Sequence, residues 1–285
     1  MERAEAPFVA MLTLSARHND IERARILLAS LERFLREPIT LFIVAPDSAM
    51  ETVRAAHAGS GGGKVALQFM PDSAVLAESV AGDATVRGTV RQMLVKMGFA
   101  RHCPAPFYLT LDADVALIRE WGVADAMPDG RAGVQRKAVR EGDTWCSAAA
   151  ELLGTPFDYP ETMDVTPALI SAEGMRDLLE ALEARHGDWQ RALADRHAGG
   201  LKWTEYTLYW HHLRDAGLLE KLHAIPEGYR IFVMRSLWRA PQIEGWSLDL
   251  ALKGRGGFVV LQSSTGLAPE AARAMLGMDG PGSGG

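Results

Sequence analysis

Cysteine is nearly absent: Cys103 and Cys146 are the only two in 285 residues. Neither belongs to a C-x-x-C spacing, and two thiols make no framework for a chain this long, so disulfide scaffolds and zinc ribbons are excluded. They read as two partly buried free thiols in a reducing cytoplasm. Also missing is an apolar run near the ~18 residues that a membrane-spanning helix needs. Residues 1–7 carry Glu2, Arg3 and Glu5 before Phe8, with no charged start followed by an apolar stretch, which speaks against a secretory leader. Positive charge is not in excess: 36 acidic side chains stand against 30 basic ones, for a net charge of −6. Nucleic-acid binding wants a basic surface and is excluded, whereas a single diphosphate needs only a local basic cluster. The expected location is the cytoplasm, with loose peripheral association at the inner face of the membrane left open. There is no internal repeat and no low-complexity linker before the Gly-rich end.

What is present is ordinary for a folded domain, with 48% hydrophobic and 23% charged residues, enough for a large core. In the first 115 residues strand-like runs alternate with helical ones. Phe8 to Leu14 is a short apolar strand. From Asp20, a plausible N-cap, Ile21, Ala24, Leu27, Leu28, Leu31, Phe34 and Leu35 recur with helical spacing. Ile39 to Ala45 is a second strand, and a short helix from Asp47 or Ser48 runs to His57. Gly59 to Gly63 breaks the chain before a third strand, Val65 to Met70. Asp83 to Ala100 reads as one helix and Phe107 to Leu111 as a fourth strand. Alternation of this kind predicts an α/β fold whose mixed, mostly parallel sheet is flanked by helices. In the second half, Met163 to Ile170 and Phe258 to Gln262 read as strands. Glu173 to Arg185, Asp188 to His197 and Thr204 to Asp215 read as helices. One domain is expected over residues 7–275, with a nucleotide-binding half at 7–115, an acceptor half at 116–275 and a disordered tail at 276–285.

The segment from Phe107 to Val115 carries the chemistry. Four of its first five residues are apolar, and it then delivers Asp112 and Asp114 around the small Ala113. In open α/β sheets ligands bind beyond the carboxyl ends of the strands, which is where this pair falls. Hard cations such as Mg²⁺ or Mn²⁺ take oxygen ligands and bridge to phosphate oxygens. Such a cation stabilises the charge that develops on a departing nucleoside diphosphate. The tripeptide D-x-D alone is a weak signal; a buried strand and three strand–helix units before it raise its weight.

The order of elements and the hydrophobic D-x-D segment resemble the GT-A-type (Rossmann-like) nucleotide-sugar glycosyltransferases. More narrowly, they resemble a bacterial group of GT-A-like proteins linked to cell-surface glycan synthesis, in the stretches Arg91 to Lys96, Leu109 to Val115 and Trp203 to Tyr209. The resemblance spans roughly Val9 to Leu267. It implies that Asp112 contacts the ribose or metal and that Asp114 binds metal, Mn²⁺ or Mg²⁺. It also implies a nucleoside-diphosphate sugar as donor and a glycan or glycolipid acceptor.

Other groups are candidates around that pair. Gln92 and Lys96 share a helix face, with Arg91 beside them; a lysine at the carboxyl edge of the sheet offsets diphosphate charge. Arg87 reads as surface. Ser15 and Arg17, in the loop after the first strand, lie where GT-A folds bind base and ribose, although loops are polar in any case. Glu205, following the cap Thr204, is the candidate general base that takes the acceptor hydroxyl's proton. An acid in a first helical turn also suits the macrodipole. A base at that position slightly favours inversion of configuration. His223 is the best late histidine for a third metal ligand, while His211 and His212, adjacent on a helix, point apart. Trp238 and Trp246 are candidates to stack on an acceptor sugar, though large aromatics are more often core. Two alternatives stay open. One is a haloacid-dehalogenase-like phosphatase, in which the first Asp of a D-x-D is a nucleophile. The other is a non-catalytic sugar-nucleotide-binding protein.

Overall fold

The computed structural model describes residues 8–86 and 88–278; the expectations for residues 1–7, for Arg87 and for 279–285 lie outside them. The first half runs β1 (Phe8–Thr13), α1 (His18–Phe34), β2 (Ile39–Ala45), α2 (Met50–Ala56), β3 (Val65–Pro71), α3 (Glu78–Ala81), α4 (Gly88–Gly98) and β4 (Phe107–Leu111). Next come β5 (Val115–Leu117), α5 (Val123–Ala126), β6 (Ala132–Gly133), β7 (Arg136–Ala138), α6 (Thr144–Leu153), β8 (Glu161–Met163), β9 (Ala168–Ser171) and α7 (Ala172–His186). The chain continues through α8 (Trp189–Ala198), α9 (Glu205–Asp215), α10 (Leu219–Leu222), β10 (His223–Ala224), α11 (Leu248–Leu252), β11 (Phe258–Val260) and α12 (Pro269–Met275).

The central sheet has the order β3-β2-β1-β4-β9. Its first four strands are parallel, and β9 runs antiparallel beside β4 with Tyr108 opposite Ile170. The strands read as continuous apolar runs because both faces are covered. Val9, Met11, Phe42, Val44 and Tyr108 pack on the side of α4, α7, α8 and α9. Ala10, Leu12, Leu41, Ile43, Leu109 and Leu111 pack on the side of α1. Successive residues of one strand therefore supply opposite cores. The chain winds outward from β1 to β3 and returns to β4 on the other side of β1. This reversal places a topological switch point between the carboxyl ends of β1 and β4, the crevice where such sheets bind ligands.

Several boundaries differ from expectation for local reasons. α1 begins at His18, and Asp20 does not cap it; its carboxylate accepts the Ser15 hydroxyl instead. The helix expected over Asp83 to Ala100 starts later, at Gly88, as α4. Asp83 Oδ1 accepts both the backbone N–H of Thr85, at 2.8 Å, and its hydroxyl, at 2.6 Å, and such side-chain bonds compete with the helical ladder. The strand expected over Met163 to Ile170 splits into β8 and β9 around Pro167, which cannot donate to a ladder. The tail expected from 276 begins too early: Leu276 is buried, and Met278 packs on the same C-terminal cluster as α12. Cys103 and Cys146 are free thiols, as read from their spacing. No helix among the described residues is long and apolar enough to cross a membrane.

Candidate active site

Asp112 leaves β4 at the switch point and meets Lys96 from α4, its Oδ1 2.8 Å from Nζ. The same ammonium lies 3.3 Å from Glu205 Oε1 and 3.4 Å from the Tyr206 hydroxyl. Glu205 opens α9, which Thr204 caps by accepting the Thr207 N–H at 3.2 Å. Tyr206 ties the cluster to the sheet: its hydroxyl is 3.0 Å from Thr110 Oγ1 on β4 and 2.8 Å from Thr166 Oγ1. The helix before β4 and α9 of the second half of the chain thus converge on one cation. Burial pushes the Lys96 ammonium toward neutrality, but Asp112, Tyr206 and Glu205 outweigh it, so its pKa stands well above the ordinary lysine value. Burial raises Glu205, with Lys96 pulling the other way.

Asp114 points away from this triad. Its Oδ2 accepts the backbone N–H of Ser263 at 2.7 Å, and its carbonyl accepts Leu261 N–H at 2.8 Å. That arrangement follows from β11 pairing antiparallel with β5, Val260 opposite Val115, which brings residues 261–263 alongside the acid pair. Burial and the neighbouring Asp112 carboxylate raise Asp114 to about 6, against opposing help from Ser263 and Arg23. Among the described residues no group of three or more His, Cys, Asp or Glu side chains is arranged to hold a metal. The acid pair nevertheless fits a hard cation that brings phosphate oxygens and water as its other ligands. Each carboxylate has one oxygen outside these bonds, and their mutual repulsion is what a cation relieves.

Two cavities open at this edge. A cleft of about 750 Å³ is lined by Gln92, Lys96, Asp112, Glu205, Tyr206 and Gln262, together with Lys137, Arg140, Trp145, Asp164, Trp238 and Arg239. A smaller pocket of about 80 Å³ sits over the ends of β1, β2 and β3, lined by Thr13, Ser15, Asp72, Arg91 and Gln92. Gln92 borders both. Arg91 is committed to the small pocket's wall: its Nε is 2.5 Å from Asp72 Oδ2, and its other nitrogens donate to the carbonyls of Val80 and Ala81. Asp72 Oδ1 and Thr13 Oγ1 are buried there without a hydrogen-bond partner among the described residues. Arg17 is exposed and lines neither cavity. Trp238 lines the cleft, whereas the Trp246 indole N–H donates to the Arg235 carbonyl at 2.6 Å and the ring packs on the C-terminal cluster.

His223 is elsewhere. Its Nδ1 faces the Ala132 carbonyl at 3.0 Å and its Nε2 the Tyr209 hydroxyl at 2.7 Å. Its ring stands against Phe107, the first residue of β4, at the opposite end of that strand from Asp112. Both ring nitrogens are used, so the geometry corrects the expectation of a third metal ligand. Burial lowers His223 from 6.5 to about 4. The folded state therefore binds fewer protons than the unfolded one between those values, and stability is lost as pH falls through that window. The stability difference between wild type and His223→Asn should shrink by about 3 kcal/mol between pH 7 and pH 4, read by denaturant unfolding. A constant difference would mean that the imidazole charges inside the fold.

The sequence reasoning missed Asp72, Thr13, Tyr206, Lys137 and Arg140. Asp72 had a readable signal, since it is the first acid after β3 just as Asp112 is after β4. Lys137 and Arg140 had none, because β7 is three residues long and its partner β8 lies more than twenty residues on.

The strand order and the switch point give a GT-A-type, mixed and mostly parallel α/β fold. It is shared with the crystal structure of mouse xyloside xylosyltransferase 1 in its apo form, at a TM-score of 0.53 and 16% identity, over 91% of this chain and 99% of that one. The chain belongs to the family described as a family of unknown function, DUF6492, which matches residues 8–278. No curated protein matches it.

Proposed function

We propose that this protein is a metal-dependent glycosyltransferase that moves a sugar from a nucleoside-diphosphate sugar to a hydroxyl acceptor, a surface polysaccharide or glycolipid precursor. The observation that carries this reading is the sharing of Lys96 between Asp112, at 2.8 Å, and Glu205, at 3.3 Å, on the floor of the large cleft. An acid suited to the donor's diphosphate and an acid suited to the acceptor's proton then flank one site. The small pocket adds support, with unpartnered Asp72 and Thr13 oxygens beside Ser15 where a nucleoside's polar edge can bond. The motif follows the fourth strand of a fold shared with a sugar-transferring protein, and this favours transfer over the phosphatase reading.

A Mg²⁺ or Mn²⁺ ion on Asp112 and Asp114, when bound, supplies Lewis-acid stabilisation of the leaving diphosphate. Lys96 holds Asp112 in place and keeps Glu205 ionised. Glu205 takes the proton from the acceptor hydroxyl as that oxygen attacks the anomeric carbon. Attack comes from the face opposite the diphosphate, so configuration inverts.

The test is a thermal-shift panel of UDP-, GDP-, CMP- and dTDP-sugars, each with and without Mn²⁺. At a hundredfold excess over Kd a ligand stabilises the folded state by about 2.7 kcal/mol, a shift of roughly 5 °C for a domain of this size. One nucleotide family should give that shift only with Mn²⁺. Asp114→Ala should fold, since burial and Asp112 already disfavour this carboxylate, and should lose the Mn²⁺-dependent part. No shift with any donor in folded protein would overturn the reading.

A further inference from the structure

The large cleft has a second charged region that donor chemistry does not use. In a chain with more acids than bases, four cations and three carboxylates line this cavity. Lys96 is engaged at its floor by both Asp112 and Glu205, so it offers no free positive charge to a ligand. The third carboxylate, Asp164, is occupied: Oδ2 accepts Gln135 Nε2 at 3.1 Å and Oδ1 accepts Val165 N–H at 3.0 Å.

On the wall away from that floor, Lys137 sits on β7 opposite Thr162 of β8. Its half-buried ammonium lies 3.9 Å over the Trp145 ring, with no ion pair among the described residues. A cation–π contact of this kind fixes the ammonium without an ion pair; Asp164 and Asp143 offset its charge only in part and from outside ion-pair distance. Arg140, also without an ion pair among the described residues, is close enough to act on Lys137 as a like charge. Asp143, the nearby acid, caps α6 by accepting Trp145 and Cys146 N–H groups. Two like charges held near each other, with neighbouring carboxylates already engaged, form a site that an anion completes. Trp238 borders the same cavity with its ring set edgewise on Phe232, a fixed apolar face suited to a sugar ring.

We propose that the acceptor is an anionic glycosyl unit whose carboxylate or phosphate is held by Lys137 and Arg140 while its ring lies against Trp238. The inference rests on the glycosyltransferase reading. The donor's own diphosphate is a poorer occupant. Asp164 and Asp143 are the carboxylates that act most on Lys137, and Asp112, Asp114 and Glu205 are not among them. Arg239, the fourth cation of the lining, follows Trp238 in the chain.

The test uses the full chain with the nucleotide selected by the thermal-shift panel, and three probes: methyl glucuronide, glucose 6-phosphate and methyl glucoside. Binding is read by saturation-transfer NMR and tryptophan fluorescence. At least one anionic probe should bind about tenfold or more tightly than the neutral glucoside. Which of the two is preferred separates a carboxylate from a phosphate. Lys137→Met and Arg140→Gln should each remove about that factor while nucleotide affinity stays unchanged. Equal binding of charged and neutral probes would overturn the proposal, as would binding of neither anion by protein that holds the nucleotide. Loss of nucleotide affinity in either variant would also overturn it, by giving these cations to the donor. A protein that binds no nucleotide fails the functional reading itself, a separate result.

Discussion

Lys96→Met should destabilise the protein by about 3 kcal/mol, in the range found when one member of a buried ion pair is removed. Lys96 is 5% exposed and Glu205 is 3% exposed, so Met, of similar length, leaves the Glu205 carboxylate buried without its counter-charge. Asp112 adds less, because its side chain is about one-third exposed and water screens it. The raised Lys96 pKa carries the same sign: the folded state favours the charged amine, so this stabilisation is present throughout the neutral range and is lost only as pH rises through the folded value. On a chain of this size the melting temperature should fall by roughly 5–6 °C. The double variant with Glu205→Gln should recover more than half of the loss, because the glutamine carries no charge to strand. A drop below about 1 °C in Lys96→Met would mean that the ammonium is solvated and that the shared geometry does not hold in solution.

This triad also marks where the sequence stopped being informative. Asp112 was legible because a buried strand of apolar residues announces its own end, and an α/β alternation says what lies beyond such ends. β2 and β4 fall on the residues their hydrophobic runs indicate, Ile39–Ala45 and Phe107–Leu111. Lys96 and Glu205 were each visible as candidates, but nothing in the order of residues says that they meet. They are 109 positions apart, and only the packing of α4 and α9 on the same sheet face joins them. Tyr206 escaped notice for the opposite reason. An aromatic on an amphipathic helix reads as core, and it is core, yet its hydroxyl bridges Thr110 and Thr166 under the site.

His223 shows the converse failure. A late histidine near a strand is chemically able to bind a metal, and composition has no way to say that β10 pairs with β6 far from the carboxyl edge. Short strands are where sequence patterns are weakest, since two or three residues show no period. β5, β6, β7, β8, β10 and β11 have two or three residues each, and β7, β8 and β11 with the segments after them line the cleft. The large sheet was therefore readable and the rim of the site was not.

Glu205→Gln should reduce sugar transfer on the order of 10²- to 10⁴-fold, the usual contribution of a positioned general base, with donor affinity within about twofold of wild type. The substitution keeps the shape of the side chain at the start of α9 and removes a carboxylate that burial disfavours, so the fold should persist. Lys96 still has Asp112 at 2.8 Å, which preserves the donor side. Burial raises Glu205 above its ordinary value of 4.5. A base must be ionised to accept a proton, so wild-type transfer should rise with pH through that raised value and level off above it. Measured at saturating Mn²⁺, which holds Asp114 ionised, the limb should vanish in the glutamine variant, whose residual rate is flat in the same range. A general base and a mere structural partner of Lys96 part company on this profile. Loss of the counter-charge alone lowers stability or donor affinity and leaves the limb in place. Transfer at the wild-type rate by Glu205→Gln would assign the proton to another acceptor and reduce Glu205 to holding Lys96.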